Sequence, residues 1–260
     1  MNLRVLAALP LLLLPTLPAP AEAPVPAVTL RYRWAVGQTV TYLVQQDPYF
    51  GDPARALAAA EPEAAYAAPV VTRLTEEVQR VARDGTATLK ITQTAAPGFE
   101  EEAHPEPPLV WMAVVTARGE VSGIKTPEAV TAMFPRLLAG PVRVGASWTG
   151  PDGTRLTLTA LRGGPKGLAI VTQTFPAATG ERRTPDHDGT LLQTTRTAQT
   201  GRIVFDLSRG QVARQVQTRT VTATLVMTER GRRGADDFGR VVPNVQAVQT
   251  RTMERQENAL

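Results

Sequence analysis

Residues 81–94 read VARDGTATLKITQT and residues 161–174 read LRGGPKGLAIVTQT, a Thr-rich, β-branched hairpin pattern written twice in one chain. Two further echoes keep the same order. Val36-Gly37-Gln38-Thr39-Val40 is answered by Val144-Gly145-Ala146-Ser147-Trp148, and Arg118-Gly119-Glu120-Val121 by Arg209-Gly210-Gln211-Val212. A strand-turn-strand module that recurs with its flanking turns constrains the fold more than any single residue, because each copy must present one alternate face to a core. The expectation is a mainly β chain with one domain over 22–260, made of two antiparallel pseudo-repeats at about 28–124 and 142–256.

Alternation and Thr, Val and Tyr content place strands at 30–34, 38–46, 109–116, 120–124, 146–149, 168–175, 191–200, 202–206, 211–227 and 245–253. Residues 70–82 are ambiguous, since Leu74, Val78 and Val81 also fall at helical spacing. Their counterpart at 155–161 is short and alternates Leu156, Leu158 and Ala160, so both are assigned as strands, with Asp84-Gly85 and Gly163-Gly164 as the turns. Pro-rich or polar stretches at 47–69, 97–108, 176–189 and 231–243 read as surface excursions.

One helix is expected, at about 126–138. Thr126 caps it, Pro127 opens it, Glu128 faces the positive end of its dipole, and Val130, Met133, Phe134, Leu137 and Leu138 form one stripe. Pro135 should break or tighten its last turn.

Residues 211–227 contain neither Gly nor Pro. At about 3.3 Å per residue that strand would stretch roughly 55 Å, far beyond the usual length, so it must bend. Its apolar parity shifts from Val212 and Val216 to Val221, Ala223, Leu225 and Met227, which predicts a β-bulge. Long bent strands favour a strongly curved sheet, a half-barrel or open barrel, with a two-sheet sandwich as the alternative. The helix would then plug or cap the concavity, and Met133, Phe134, Leu137, Leu225 and Met227 would line an apolar cavity.

The N-terminal residues carry Arg4, an apolar run at 5–17 interrupted by Pro10 and Pro15, and small residues at Ala19, Ala21 and Ala23. This is the layout of a secretory signal peptide over 1–21, cleaved after Ala21 because Pro24 sits badly directly behind a cut at Ala23. The run is too short for a transmembrane anchor. The mature chain is expected to be exported, periplasmic or extracellular, and soluble.

With no cysteine in the sequence, disulfides, thiolate nucleophiles, Cys-ligated metals and lipidated cysteines are excluded. The net charge is +4, carried almost wholly by arginines that alternate with Thr and Gln along strands, a pattern that reads as a solvated sheet face. The densest basic run, Arg230, Arg232, Arg233 and Arg240, is a candidate contact for an anion or a partner, but Asp236 and Asp237 dilute it and no aromatic platform for nucleic acid interleaves, so it reads first as a solvated loop.

Asp186-His187-Asp188 is the one cluster of metal-ligating types; adjacent residues of an extended loop diverge, so it is a weak metal site, and His104 reads as plain surface. Ser147 falls in a near miss to a nucleophile elbow, with Thr149 where the second Gly belongs and no helix to follow. Paired acids occur, but aromatic residues are only 5% of the chain, too few for a saccharide cleft. No catalytic constellation and no cofactor are implied.

The stretch L-R-Y-R-W-x-V-G-Q-T-V-T-Y at 30–42, the D-G-T-A-T-L-K-I hairpin at 84–91, the A-R-G-E-V-S-G turn at 117–123 and the F-P-R-L-L…P-V-R-V-G-A-S-W boundary at 134–148 resemble a family of uncharacterised exported bacterial β-rich proteins, without assigned activity. In shape alone the expected curved sheet is similar to lipoprotein-localisation half-barrels and tubular lipid-binding superrolls, an analogy of fold that assigns no function. The expected function is non-enzymatic binding of an apolar or amphipathic ligand, lipid included, inside the curved sheet. The alternative is an envelope scaffold that docks another protein and has a packed interior.

Overall fold

The structure, a computed structural model, describes residues 27–47, 69–96, 107–123, 128–186, 189–229 and 239–256. The expected signal peptide lies outside them. The strands are β1 (Val28–Thr29), β2 (Thr39–Gln46), β3 (Val70–Val81), β4 (Ala87–Ala95), β5 (Leu109–Val115), β6 (Val121–Ser122), β7 (Pro141–Val142), β8 (Ser147–Thr149), β9 (Arg155–Arg162), β10 (Leu168–Thr174), β11 (Ala178–Asp186), β12 (Gly189–Asp206), β13 (Gln211–Glu229) and β14 (Gly239–Gln256). A short helix, α1 (Glu128–Thr131), lies between β6 and β7.

All pairings are antiparallel, and twelve strands form one sheet in the order β6-β5-β4-β3-β2-β14-β13-β12-β10-β9-β8, with β11 paired to β12 beside this path. β1 and β7 make a separate two-stranded ladder. A two-sheet sandwich is therefore not the architecture. The segments that echo one another in sequence occupy matching places: β2 to β6 form one meander, β8, β9, β10, β12 and β13 the other, and β11 is an insertion in the second.

The sheet is an open barrel. Its edge strands β6 and β8 are ten strand spacings apart, roughly 48 Å in a flat sheet at about 4.8 Å per spacing. Yet neighbouring residues of the β6–β7 connection reach both edges. The Leu137 amide donates to the Arg118 carbonyl at 2.7 Å on the β5–β6 turn, and Trp148 Nε1 on β8 donates to the Arg136 carbonyl at 2.8 Å. Only a curled sheet permits this, and β6 and β8 are bridged by the connection rather than paired.

That bridge corrects the expected helix over 126–138. The described helix ends at Thr131, and the Met133 and Phe134 amides turn back to Val130 and Thr131 three residues earlier. Pro135 has no amide to continue the ladder, and its ring would collide with the preceding helical turn. The apolar stripe is buried nonetheless, since Val130, Met133, Phe134 and Leu137 join the core as an irregular strap.

One end of the barrel is sealed by residues 30–34. They form no ladder strand, contrary to expectation. Instead the Tyr32 amide donates to Ala117 O at 2.9 Å and the Arg33 amide to Gly210 O at 3.1 Å, so the two echoed Arg-Gly turns hold the same crossing segment. Gly119 is required there. Its φ is +82°, and a Cβ would stand 2.5 Å from Pro135 O and 2.8 Å from a Tyr32 ring carbon.

The apolar core lies between this seal and the middle of the barrel, with Leu89, Ile91, Ala113, Val115, Leu156, Leu158, Ile203 and Phe205 essentially inaccessible. Tyr32 stacks on Trp34 with ring centres 5.4 Å apart and meets Phe205 and Phe134 edge-on.

The two longest strands of the second half differ from expectation in detail. β12 is continuous where two strands were expected, and the polar excursion after β10 is the paired strand β11. β13 does carry a bulge, but at residue 213: Val204 pairs with Arg214 and Phe205 with Val212. Past it the buried positions are Gln215 and Gln217, and Val216 lies on the opposite face, only half-buried.

Candidate functional site

Register sets the chemistry of the concave face. One row across the barrel runs Gln46, Arg251, Gln217, Gly201, Gln173, Leu156, Trp148, each opposite the next on the adjoining strand. The row towards the seal is mostly apolar: Val44, Met253, Gln215, Ile203, Val171, Leu158. The row towards the open end is Gln249, Arg219 and Gln199. A band of amides and guanidinium groups thus sits directly above the core.

The amides are ordered among themselves. Gln215 Nε2 donates to Gln173 Oε1 at 3.2 Å, and Gln199 Nε2 approaches Gln217 Oε1 at 3.5 Å. Gly201 makes room for this, since a Cβ there would lie 2.8 Å from Gln173 Oε1 and 3.3 Å from Gln217 Cγ.

Between this band and the strap is a cavity of about 780 Å³, within the range that small-molecule pockets occupy. Its apolar wall is Val121, Phe134, Pro135, Pro151, Leu156 and Phe175; its polar wall is Gln46, Gln173, Gln199, Gln217, Gln249, Arg219 and Arg251. Three further charged residues face it. Glu120 pairs with Arg136 of the strap, and Asp152 accepts from Thr154 Oγ1 at 2.6 Å and the Thr154 amide at 3.1 Å on its own turn. Arg219 and Arg251 make no ion pair among the described residues. Arg219 is exposed, whereas Arg251 is half-buried, and burial pushes its guanidinium below the ordinary arginine value.

Several ionisable groups with shifted titration lie outside the cavity wall. Glu76, on β3 opposite Val40 and Ile91, is 2% exposed with Oε2 unpartnered, and burial raises its carboxyl to about 8. Burial, then the proximity of Glu76, holds Tyr32 and Tyr42 well above the usual phenol value. Asp206 closes the β12–β13 turn. Desolvation would raise it, but bonds from Ser208 Oγ at 2.6 Å, the Arg209 amide at 3.0 Å and Arg255 at 3.0 Å outweigh that and lower it.

Of the five residues expected to line an apolar cavity, Phe134 does so, while Met133 and Leu137 pack into the core beneath. Leu225 and Met227 lie on β13 opposite Gln193 and Leu191; their side chains are outside the described set. Asp186 ends β11 paired with Gly189, and His187 and Asp188 lie outside the described residues. Arg240 is on β14 opposite Met227, and Arg230, Arg232 and Arg233 are likewise outside. None of these groups joins the described cavity wall. From sequence alone the Gln and Arg band reads as a solvated face, because Gln and Arg alternating with Thr give no contrast between faces. The parity change in 211–227 was the available signal, since it moves Gln215, Gln217 and Arg219 inside with Val221 and Ala223.

No family model and no curated protein matches this chain. Among the described residues no helix is long and apolar enough to cross a membrane, and no three His, Asp or Glu side chains gather as a metal site.

Proposed function

We propose that the chain is an exported, non-enzymatic binding protein that takes an apolar or amphipathic small molecule, a lipid among the candidates, into the mouth of its open barrel. The observation that carries this reading is the cavity of about 780 Å³ between strap and concave face, with an apolar wall facing a hydrogen-bonding one. The groups presented are mainly amides and guanidinium groups, and the two carboxylates are already engaged by Arg136 and Thr154. Such a wall binds by hydrogen bonding and charge, which favours a carrier over a catalyst. A cavity at the barrel mouth, above the packed core, also favours ligand binding over a scaffold packed throughout.

Native-state mass spectrometry and solvent extraction of protein purified from its exporting host test the reading. A co-purifying small molecule at one per chain, or saturable uptake of an apolar dye after delipidation, is expected. Protein that carries nothing and takes up no dye would overturn it.

A further inference from the structure

The cavity places two arginines where one anion can meet both. Arg219 pairs with Gln249 and Arg251 with Gln217, so the two are diagonal neighbours on β13 and β14, with backbone positions roughly 7–8 Å apart and long side chains on the same concave face. Guanidinium groups so spaced converge readily on a carboxylate or phosphate, with donors to spare. The surrounding groups leave that role open. Glu120 is taken by Arg136, Asp152 is held on its turn by Thr154, and the nearest row-mates Gln46, Gln199, Gln217 and Gln249 carry no charge.

We infer that the cavity binds an anionic amphiphile, its carboxylate or phosphate head held between Arg219 and Arg251 and its apolar chain against Phe134, Pro135, Leu156 and Phe175. This rests on the ligand-binding reading above and adds the charge and orientation of the ligand. The glutamines serve the same end: their amides are placed to hydrogen-bond the remaining head-group oxygens, and Gly201 leaves the room in which the Gln173 and Gln217 side chains lie across the cavity floor. A half-buried cation with no counter-charge among the described residues is disfavoured, so the anion gains most at Arg251.

The experiment is calorimetric titration of the delipidated protein with dodecanoate, dodecyl phosphate and uncharged dodecanol, each below its aggregation limit. At least one anionic probe should bind on the order of ten- to hundredfold more tightly than dodecanol, the worth of a charge-assisted hydrogen bond over a neutral contact. Which anion gains distinguishes a carboxylate head from a phosphate head. In Arg219→Gln/Arg251→Gln the ratio should fall to near one. Dodecanol binding as tightly as both anions in the native protein would overturn the anionic-head inference and leave the ligand-binding reading standing; no binding of any probe would remove both. Should the double variant fold poorly, the native-protein ratio and its decline with added salt decide alone.

Discussion

Glu76→Gln isolates the one buried carboxyl among the described residues that lacks a full set of partners. Glu76 is 2% exposed, its Oε2 is unpartnered, and its folded pKa is raised from 4.5 to about 8 by burial. Below pH 4.5 the group is protonated in both folded and unfolded chains. Between 4.5 and 8 the folded chain keeps a proton that the unfolded chain has released, so the stability from the neutral buried carboxyl is progressively lost as pH rises, at about 1.36 kcal/mol per pH unit. Over that window the loss reaches about 4–5 kcal/mol, comparable to a large part of a domain's total stability. Glutamine has the same shape and no titration. Urea unfolding of both proteins at pH 5, 7 and 9 should therefore give similar midpoints at pH 5 and a variant that is increasingly more stable by pH 9. Tyr32 and Tyr42 are held neutral across this range, and every other titrating group contributes alike to both proteins. Parallel pH profiles, or a variant less stable at pH 9, would refute the placement of Glu76 in the core.

Gly119→Ala should destabilise by about 3 kcal/mol or more, from the left-handed backbone plus the collision with Pro135 and Tyr32, whereas Gly37→Ala, at φ +77° with open space around it, should cost only about 1–2 kcal/mol; equal costs in denaturant unfolding would contradict the strap's seat. Trp148→Phe removes the indole bond to Arg136 O and should cost about 1–2 kcal/mol, with faster hydrogen exchange at the Leu137 amide; unchanged exchange there would separate the two ends of the bridge. N-terminal sequencing of the exported product should begin at Glu22, and a start at Met1 or at Pro24 would contradict cleavage after Ala21.

The strands and their turns were legible because they rest on local chemistry: alternation in β2, β9 and β10, the repeat of β9 that settles β3, and Gly at the positive-φ turn positions 85, 119, 163 and 210. The repeated Arg-Gly turns were legible as echoes, but not as the two clamps on residues 31–33, which depends on a contact between distant segments. In the linking segment the apolar stripe pointed to helix, and Pro135 prevailed over it. The strap buries the same side chains without the helix, so burial could not tell the two apart. The polar floor was least legible. In β12 to β14, Gln, Arg and Thr fill both faces, and only the bulge at 213 and the pairing register decide that Gln215, Gln217 and Arg251 look inward.

The cavity exists only if the sheet curls far enough for the strap to bridge its two edges. The cysteine-free chain allows spin labels at Ser122→Cys on β6 and Ser147→Cys on β8, both exposed, for a pulsed electron–electron distance measurement. A single short distance, well under the roughly 48 Å that ten flat strand spacings would impose, is the result expected of the curled sheet; a distance near that flat value would contradict the barrel, and with it the cavity and its ligand.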